Sequence, residues 1–162
     1  KANRRIPPFK KLKGSAVDDM EYFWSQAVTL GDRLGPVLVQ LPGNFHRNVE
    51  RLTGFLAALP DGVRPAFEFR HESWWDDDVY DALRDRNAAL VIAQTEEYTT
   101  PLVPTADWGY LRLRKVEYGA GEVEEWVERV AGQPWQEAFV FFKHEEAGTG
   151  PALARRFMDQ AG

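Results

Sequence analysis

Short apolar runs alternate along the chain with longer segments whose apolar residues recur at helical spacing. The short runs are typical of buried strands, and the periodic segments are typical of amphipathic helices. The predicted strands are residues 36–41, 66–70, 89–94, 108–114 and 138–142. The predicted helices are a segment that begins at Ser15, followed by 48–59, 76–87, 121–131 and 150–160. Strands that alternate with helices predict a parallel sheet in an α/β fold.

Polar residues recur within these strands at a period of two. Glu68 and Arg70, for example, share one face of their strand, because side chains alternate between the two faces. We expect one common surface to be lined by Gln40, Glu68, Arg70, Gln94, Arg112 and Arg114. Strands of an open sheet covered on both faces are usually apolar all round, whereas a barrel carries polar groups at its C-terminal mouth. The pattern therefore favours a barrel over an open doubly wound sheet.

The number of strands is too small for a complete barrel of this kind. Five strands cannot close a (β/α) TIM-type barrel, and the chain opens on Lys1 rather than on a methionine. We therefore expect residues 1–162 to form a single barrel domain that lacks its first βα units. A partial barrel exposes the edge of a strand. We expect this edge to be covered by a partner chain, by a second copy of this chain or by further residues.

Composition excludes several classes of site. The formal net charge is −5, which argues against a general nucleic-acid coat protein. The chain has no cysteine, so disulfides, thiolate zinc sites and iron–sulfur clusters are excluded. No apolar run approaches the roughly 20 residues that a transmembrane helix needs. We expect a cytoplasmic protein without a membrane partner.

Five segments carry motifs of a known family. They are KANRRI at 1–6, LGPVLVQLP at 34–42, FEFRHESW at 67–74, YLRL at 110–113 and VFFKHE at 140–145. In sequence and order they resemble the DUF72 (YecE-like) family, whose activity is not established. The resemblance covers essentially the whole chain, and the second and third segments are the most specific. It implies a TIM-type barrel whose full-length members begin further upstream.

The chain departs from the family pattern at three places. The family has Ile-Thr-His where this chain has Ile6-Pro7-Pro8, and His-Gly where it has Arg114-Lys115. The Asn-rich end of the last strand is replaced by Lys143-His144-Glu145. Because two family histidines are absent, a mechanism that depends on them does not carry over.

Candidate catalytic residues stand where strands meet the predicted mouth. Glu68 is a candidate general base, metal ligand or substrate clamp. A structural ion pair between Glu68 and an arginine explains the same residues, since buried charges must be paired. His71 and His144 are candidates for proton transfer near neutral pH.

The other candidates suit an anionic substrate. Two guanidiniums on one face, from Arg112 and Arg114, match a phosphate or a carboxylate, although ion pairing with acids would also explain them. Trp74 and Trp75 could stack a sugar or base, with core packing as the alternative for at least one of them. The predicted substrate-binding residues are Gln40, Arg70, Trp74, Gln94, Arg112, Arg114 and Lys143.

The sequence leaves the cofactor open. It has three histidines and no HExxH motif, and a carboxylate-rich Mg²⁺ or Mn²⁺ site that includes Glu68 stays open. It has neither a GxGxxG nor a Walker-type phosphate loop.

Three functions stay open on the sequence alone. The first is an enzyme that acts on an anionic small molecule, such as a phosphorylated one, at the barrel mouth. The second is a nucleic-acid-binding or nucleic-acid-processing protein, and the third is a non-catalytic binding protein. The second hypothesis draws on a basic opening segment without acidic residues, which contains Lys1, Arg4, Arg5, Lys10, Lys11 and Lys13.

Overall fold

Five parallel strands form one sheet in the order in which they occur along the chain. The computed structural model describes Leu12 and residues 22–119, 121–142 and 149–162. The strands are β1 (Val37–Gln40), β2 (Pro65–Glu68), β3 (Ala89–Gln94), β4 (Trp108–Leu113) and β5 (Glu137–Phe142). Each strand pairs in parallel with the next, so β1 and β5 are the edge strands of this sheet. The predicted parallel α/β fold is confirmed, and the arrangement is that of a partial TIM-type barrel.

Crossover connections join the parallel strands. They are helical except between β3 and β4, where residues 95–107 contain no helix. The helices are α1 (residues 22–27), which leads into a 3-10 helix at Val28–Arg33, then α2 (Val49–Ala57), α3 (Asp77–Arg84), α4 (Glu122–Ala131) and α5 (Thr149–Ala161). The side chains of Asn48 and Asp76 cap the first turns of α2 and α3 by accepting backbone N–H groups. None of the helices in the described ranges is long and apolar enough to cross a membrane.

Helix α3 ends three residues earlier than the sequence pattern predicts. Asn87 adopts a positive φ of 49°, a conformation that asparagine tolerates better than most residues. Its side chain also exchanges hydrogen bonds with Asp107, accepting from the backbone N–H at 2.9 Å and donating to the carboxylate at 2.8 Å. This turn ends the helix and directs the chain into β3.

The two faces of the sheet carry different apolar groups. Helix residues such as Leu52, Val79 and Val123 pack on the outer face, against Phe67 and Leu111. The inner face carries a smaller buried group, which consists of Leu38, Ala66, Ala89, Val91, Trp108 and Tyr110. The polar residues that continue this inner face lie at the C-terminal ends of the strands.

Arg64 covers the opposite, N-terminal end of the inner face. Its guanidinium lies over the ring of Trp108 at 4.6 Å and over that of Phe139 at 5.3 Å, and it pairs with Glu137 at 2.7 Å. Because Arg64 precedes β2 and Glu137 begins β5, this contact links distant strands of a curved sheet. Structural contacts therefore fill the N-terminal end of the inner face. A functional site is expected at the C-terminal end, as in other barrels of this type.

Gly109 of β4 leaves room for the ring of Trp135. A Cβ atom at Gly109 would lie 2.5 Å from the nearest atom of that ring, so Gly109→Ala must displace it. We expect the free energy of unfolding to fall by about 1–3 kcal/mol, measured by urea denaturation. Gly54→Ala in α2 is the matched control, because nothing lies within 4 Å of its Cβ position. That control should be neutral or stabilising by up to about 1 kcal/mol, and equal losses in both variants would contradict the packing at Gly109.

Candidate functional site

A buried carboxylate stands at the C-terminal end of β2 and collects polar side chains from three strands. Glu68 is fully buried. Gln40, its register partner on β1, donates to Oε2 at 2.9 Å. Arg70 donates from Nε to Oε1 at 3.0 Å, and Arg112 of β4 donates to Oε2. The period-two pattern thus places these side chains together as predicted, because all of them lie at the C-terminal end of the inner face.

The charge on Glu68 is held by its two arginines. Burial alone would raise the pKa of the Glu68 carboxyl, but the charges and hydrogen bonds of Arg112 and Arg70 outweigh burial and hold the pKa below 4.5. Glu68 is therefore ionised at neutral pH, with both oxygens engaged. Such a carboxylate positions guanidiniums well and accepts a proton poorly, which favours the ion-pair alternative over a general base.

Arg114 adds a guanidinium that Glu68 does not neutralise. Its backbone N–H donates to the carbonyl of Gln94 at 2.9 Å, which extends the β3–β4 pairing by one step and fixes its place on the inner face. Its Nε is buried and has no hydrogen-bond partner in the part of the chain that the structure describes. We call Glu68, Arg70, Arg112 and Arg114 the arginine cluster. Three positive charges against one negative charge leave an excess of two.

The cluster is partly open to solvent. The Arg70 side chain is 41% exposed, whereas that of Arg112 is 11% exposed. Solvent therefore reaches Arg70 more readily than Arg112, and both guanidiniums pair with Glu68.

Tyr98 belongs to this region, although the sequence pattern did not single it out. It follows β3 in a turn closed by hydrogen bonds from Thr95 N–H to the Tyr98 carbonyl and from Thr100 N–H to the Ala93 carbonyl, each 2.9 Å long. Burial raises the pKa of the Tyr98 hydroxyl, and the charge of Glu68 raises it further.

The guanidiniums of Arg70, Arg114 and Arg112 oppose this rise in the Tyr98 pKa. Tyr98 thus lies within electrostatic reach of every member of the arginine cluster. The sequence feature that points to Tyr98 is its position directly after a strand of the barrel, because such loops meet at the mouth.

Two predicted substrate-binding residues lie elsewhere. Gln94 shares the outer face of β3 with Ile92, and its Oε1 accepts a hydrogen bond from Trp126 Nε1 of α4 at 2.9 Å. Its predicted place on the common surface is wrong, because the alternation puts it on the helix-covered side.

Trp74 is a core residue. It is fully buried, its ring stacks on Phe69 at a centroid distance of 4.6 Å, and its Nε1 donates to the Phe45 carbonyl at 2.7 Å. The prediction that Trp74 stacks a substrate is wrong, because no ring face is left for a ligand. Its neighbour Trp75 is half-buried.

Of the two predicted histidines, the structure describes His71, whose contacts lie outside the arginine cluster. His71 accepts the backbone N–H of Ser73 on Nδ1 at 3.1 Å, and its ring lies 4.0 Å from that of His46. With Nδ1 accepting, the neutral ring carries its proton on Nε2. These contacts give His71 a role in joining two loops. His144 and Lys143 lie outside the described residues.

A divalent metal does not suit the Glu68 carboxylate as it stands. Both oxygens already accept hydrogen bonds from cationic side chains, and a metal ion would be repelled by the same guanidiniums. Among residues 22–119, 121–142 and 149–162, no group of three or more acidic or histidine side chains is placed to hold a metal ion.

Known proteins resemble this chain in sequence and fold. A family model described as "Protein of unknown function DUF72" matches residues 1–162. The crystal structure of a DUF72 family protein from Thermotoga maritima is 24% identical, with a TM-score of 0.81 over 94% of this chain and 70% of that chain.

A DUF72 family protein from Enterococcus faecalis gives a similar result. One crystal structure is 18% identical, with a TM-score of 0.75 over 91% of this chain and 66% of that chain. A second is also 18% identical, with a TM-score of 0.66 over 98% of this chain and 68% of that chain. The chain has no significant match among curated proteins. The solved structures therefore share the fold of this chain, which spans between 66% and 70% of their length.

Proposed function

The chain belongs to the DUF72 family of proteins of unknown function, and we propose that it binds an anionic small molecule, phosphorylated or carboxylated, at the arginine cluster. The observation that carries the proposal is the buried Nε of Arg114, which has no partner in the described part of the chain. A buried donor without a partner is costly, and an anion would satisfy it.

The chemistry of the cluster fits an oxyanion. A guanidinium presents its N–H groups in a planar fork that matches the oxygens of a phosphate or a carboxylate. Glu68 fixes Arg70 and Arg112 before a ligand arrives, so little ordering is needed on binding. Within the four side chains of the cluster, Glu68 balances one of the three positive charges.

Glu68 and His71 are engaged in other contacts, so proton transfer to such a ligand needs a different group. Glu68 is ionised and paired, and His71 contacts Ser73 and His46. We therefore assign Glu68 a positioning role in this proposal. The nucleic-acid hypothesis draws on basic residues of the opening segment that lie outside the described residues.

Arg114→Gln should weaken anion binding while leaving the fold intact. Loss of a charge-assisted hydrogen bond costs about 1.5–3 kcal/mol, which corresponds to roughly 10- to 100-fold in affinity. Calorimetric titration with inorganic phosphate, sulfate and acetate measures the change. Saturating anion should also raise the melting temperature of the wild-type protein, since binding at about 100 times the dissociation constant adds roughly 2.7 kcal/mol.

The matched control is Arg129→Gln, on the exposed side of α4, where the side chain is 51% exposed. It should bind each anion as the wild-type protein does. Equal affinity of the Arg114 and Arg129 variants, or no binding of any of the three anions, would overturn the proposed site.

A further inference from the structure

We infer that the anion recognised by the arginine cluster is attached to a planar aromatic ring, which packs against Tyr98 and Trp75. This inference rests on the proposed anion site and names the class of ligand that the site takes. The ring-binding surface, formed by the side chains of Tyr98 and Trp75, is called the aromatic wall below.

The wall comes from two loops that meet at the C-terminal end of the sheet. Trp75 follows β2 and Tyr98 follows β3, and their ring centroids lie 6.1 Å apart with an angle of 40° between the planes. Both side chains are half-buried, so each is supported by the protein and keeps some exposed surface. A tilted pair of this kind forms a corner against which a flat ring can pack in offset or edge-on geometry.

The wall adjoins the cations through the β3–β4 pairing. Arg112 is the register partner of Ala93. The Arg114 N–H donates to the Gln94 carbonyl at 2.9 Å. The next residue, Thr95, donates its N–H to the Tyr98 carbonyl at 2.9 Å, which places Tyr98 beside these arginines. A ligand whose charged group meets these guanidiniums therefore has Tyr98 beside it. An anion joined directly to a ring spans the two surfaces, whereas a small ringless anion uses only one.

The backbone holds the wall in place without a ligand. The turn that carries Tyr98 is fixed by Thr95 and Thr100, and the Thr100 side chain also accepts the N–H of Ala93 at 3.2 Å. On the other side, Trp75 follows the short 3-10 turn Glu72–Trp74, whose last residue is locked in the core. A preformed aromatic surface costs little ordering on binding.

Trp75 also retains an unused donor. Its Nε1 is buried and has no hydrogen-bond partner among the described residues, in contrast to Nε1 of Trp74, which donates to Phe45. Of the two adjacent tryptophans, Trp75 alone has both an accessible ring and an unpaired N–H. This difference assigns Trp74 to the core and Trp75 to the ligand.

The test compares phenyl phosphate with methyl phosphate by calorimetric titration. The wild-type protein should bind phenyl phosphate roughly tenfold more tightly, because the phenyl ring adds an aromatic contact that the methyl group lacks. Tyr98→Leu should remove most of this preference while binding methyl phosphate as before. Tyr98→Phe should keep the preference, since the contact needs the ring rather than the hydroxyl. Tyr22→Leu, on exposed α1, is the matched control and should behave as the wild-type protein.

The outcomes separate the two proposals. Equal affinity of the wild-type protein for both esters would overturn the ring inference and leave the anion site standing. Binding of neither ester would overturn the anion site itself. If Tyr98→Leu weakened both esters equally, Tyr98 would act on the anion, and the ring inference would be wrong.

Discussion

Replacing Glu68 by glutamine is expected to lower the free energy of unfolding by about 3–5 kcal/mol, because it leaves buried guanidinium charge without a counter-ion. Arg112 accounts for most of the expected loss in stability, because its side chain is only 11% exposed and pairs with Glu68. Urea denaturation at pH 7 measures the loss as a lower midpoint with an unchanged slope. Glu125→Gln is the matched control, because that carboxylate is 65% exposed and lies 3.8 Å from Arg129. An exposed pair of this kind contributes at most about 1 kcal/mol.

The same variant should change how stability depends on pH. The pKa of Glu68 is lower in the folded protein than its ordinary value of 4.5, so folding favours the ionised form. The stabilisation is therefore complete above pH 4.5 and is lost as the pH falls through the folded-state pKa. The difference between wild type and Glu68→Gln should narrow below pH 4.5. A loss under about 1 kcal/mol at pH 7, or a difference that does not change on acidification, would contradict the ion-pair role.

Trp74→Ala is expected to destabilise the protein by about 3–5 kcal/mol, because it opens a cavity in the core and removes a buried donor. The ring is fully buried and stacked on Phe69, and Nε1 donates to the Phe45 carbonyl. Trp74→Phe keeps most of the volume and should cost about 1–3 kcal/mol for the carbonyl left unpaired. Thermal and urea unfolding provide the measurement.

Anion affinity distinguishes a core role for Trp74 from a role in ligand binding. Folded Trp74→Phe should bind phosphate and phenyl phosphate as the wild-type protein does. If this variant kept its stability and lost affinity for phenyl phosphate, the assignment of Trp74 to the core would be wrong.

The parallel sheet and three members of the arginine cluster could be predicted from the sequence for physical reasons. Strands alternating with helices must pair in parallel, and their C-terminal ends then meet at one end of the sheet. The period of two along the strands predicts a shared inner face for Glu68, Arg70 and Arg112. A polar residue between two buried ones must lie on the opposite face from them. The register pair of Gln40 and Glu68 adds the neighbouring amide.

The errors have equally specific causes. Gln94 follows Ile92 on the face that the helices cover, and nothing in a single strand tells which of its two faces lies inward. Trp74 and Trp75 are adjacent and chemically identical, so only the 3-10 turn decides which of them enters the core. Tyr98 lies in a loop without periodicity, and its place beside the cluster depends on hydrogen bonds between Thr95, Thr100 and their backbone partners.

Binding of an anion by Arg114 is tested most directly by nuclear magnetic resonance of the arginine Nε–Hε groups during titration with inorganic phosphate. The Arg114 signal is assigned by its disappearance in Arg114→Lys. The proposed site predicts that this signal shifts saturably with phosphate, while that of exposed Arg129 stays in place. An Arg114 signal that does not move at phosphate concentrations where the protein binds the anion would contradict the proposed site.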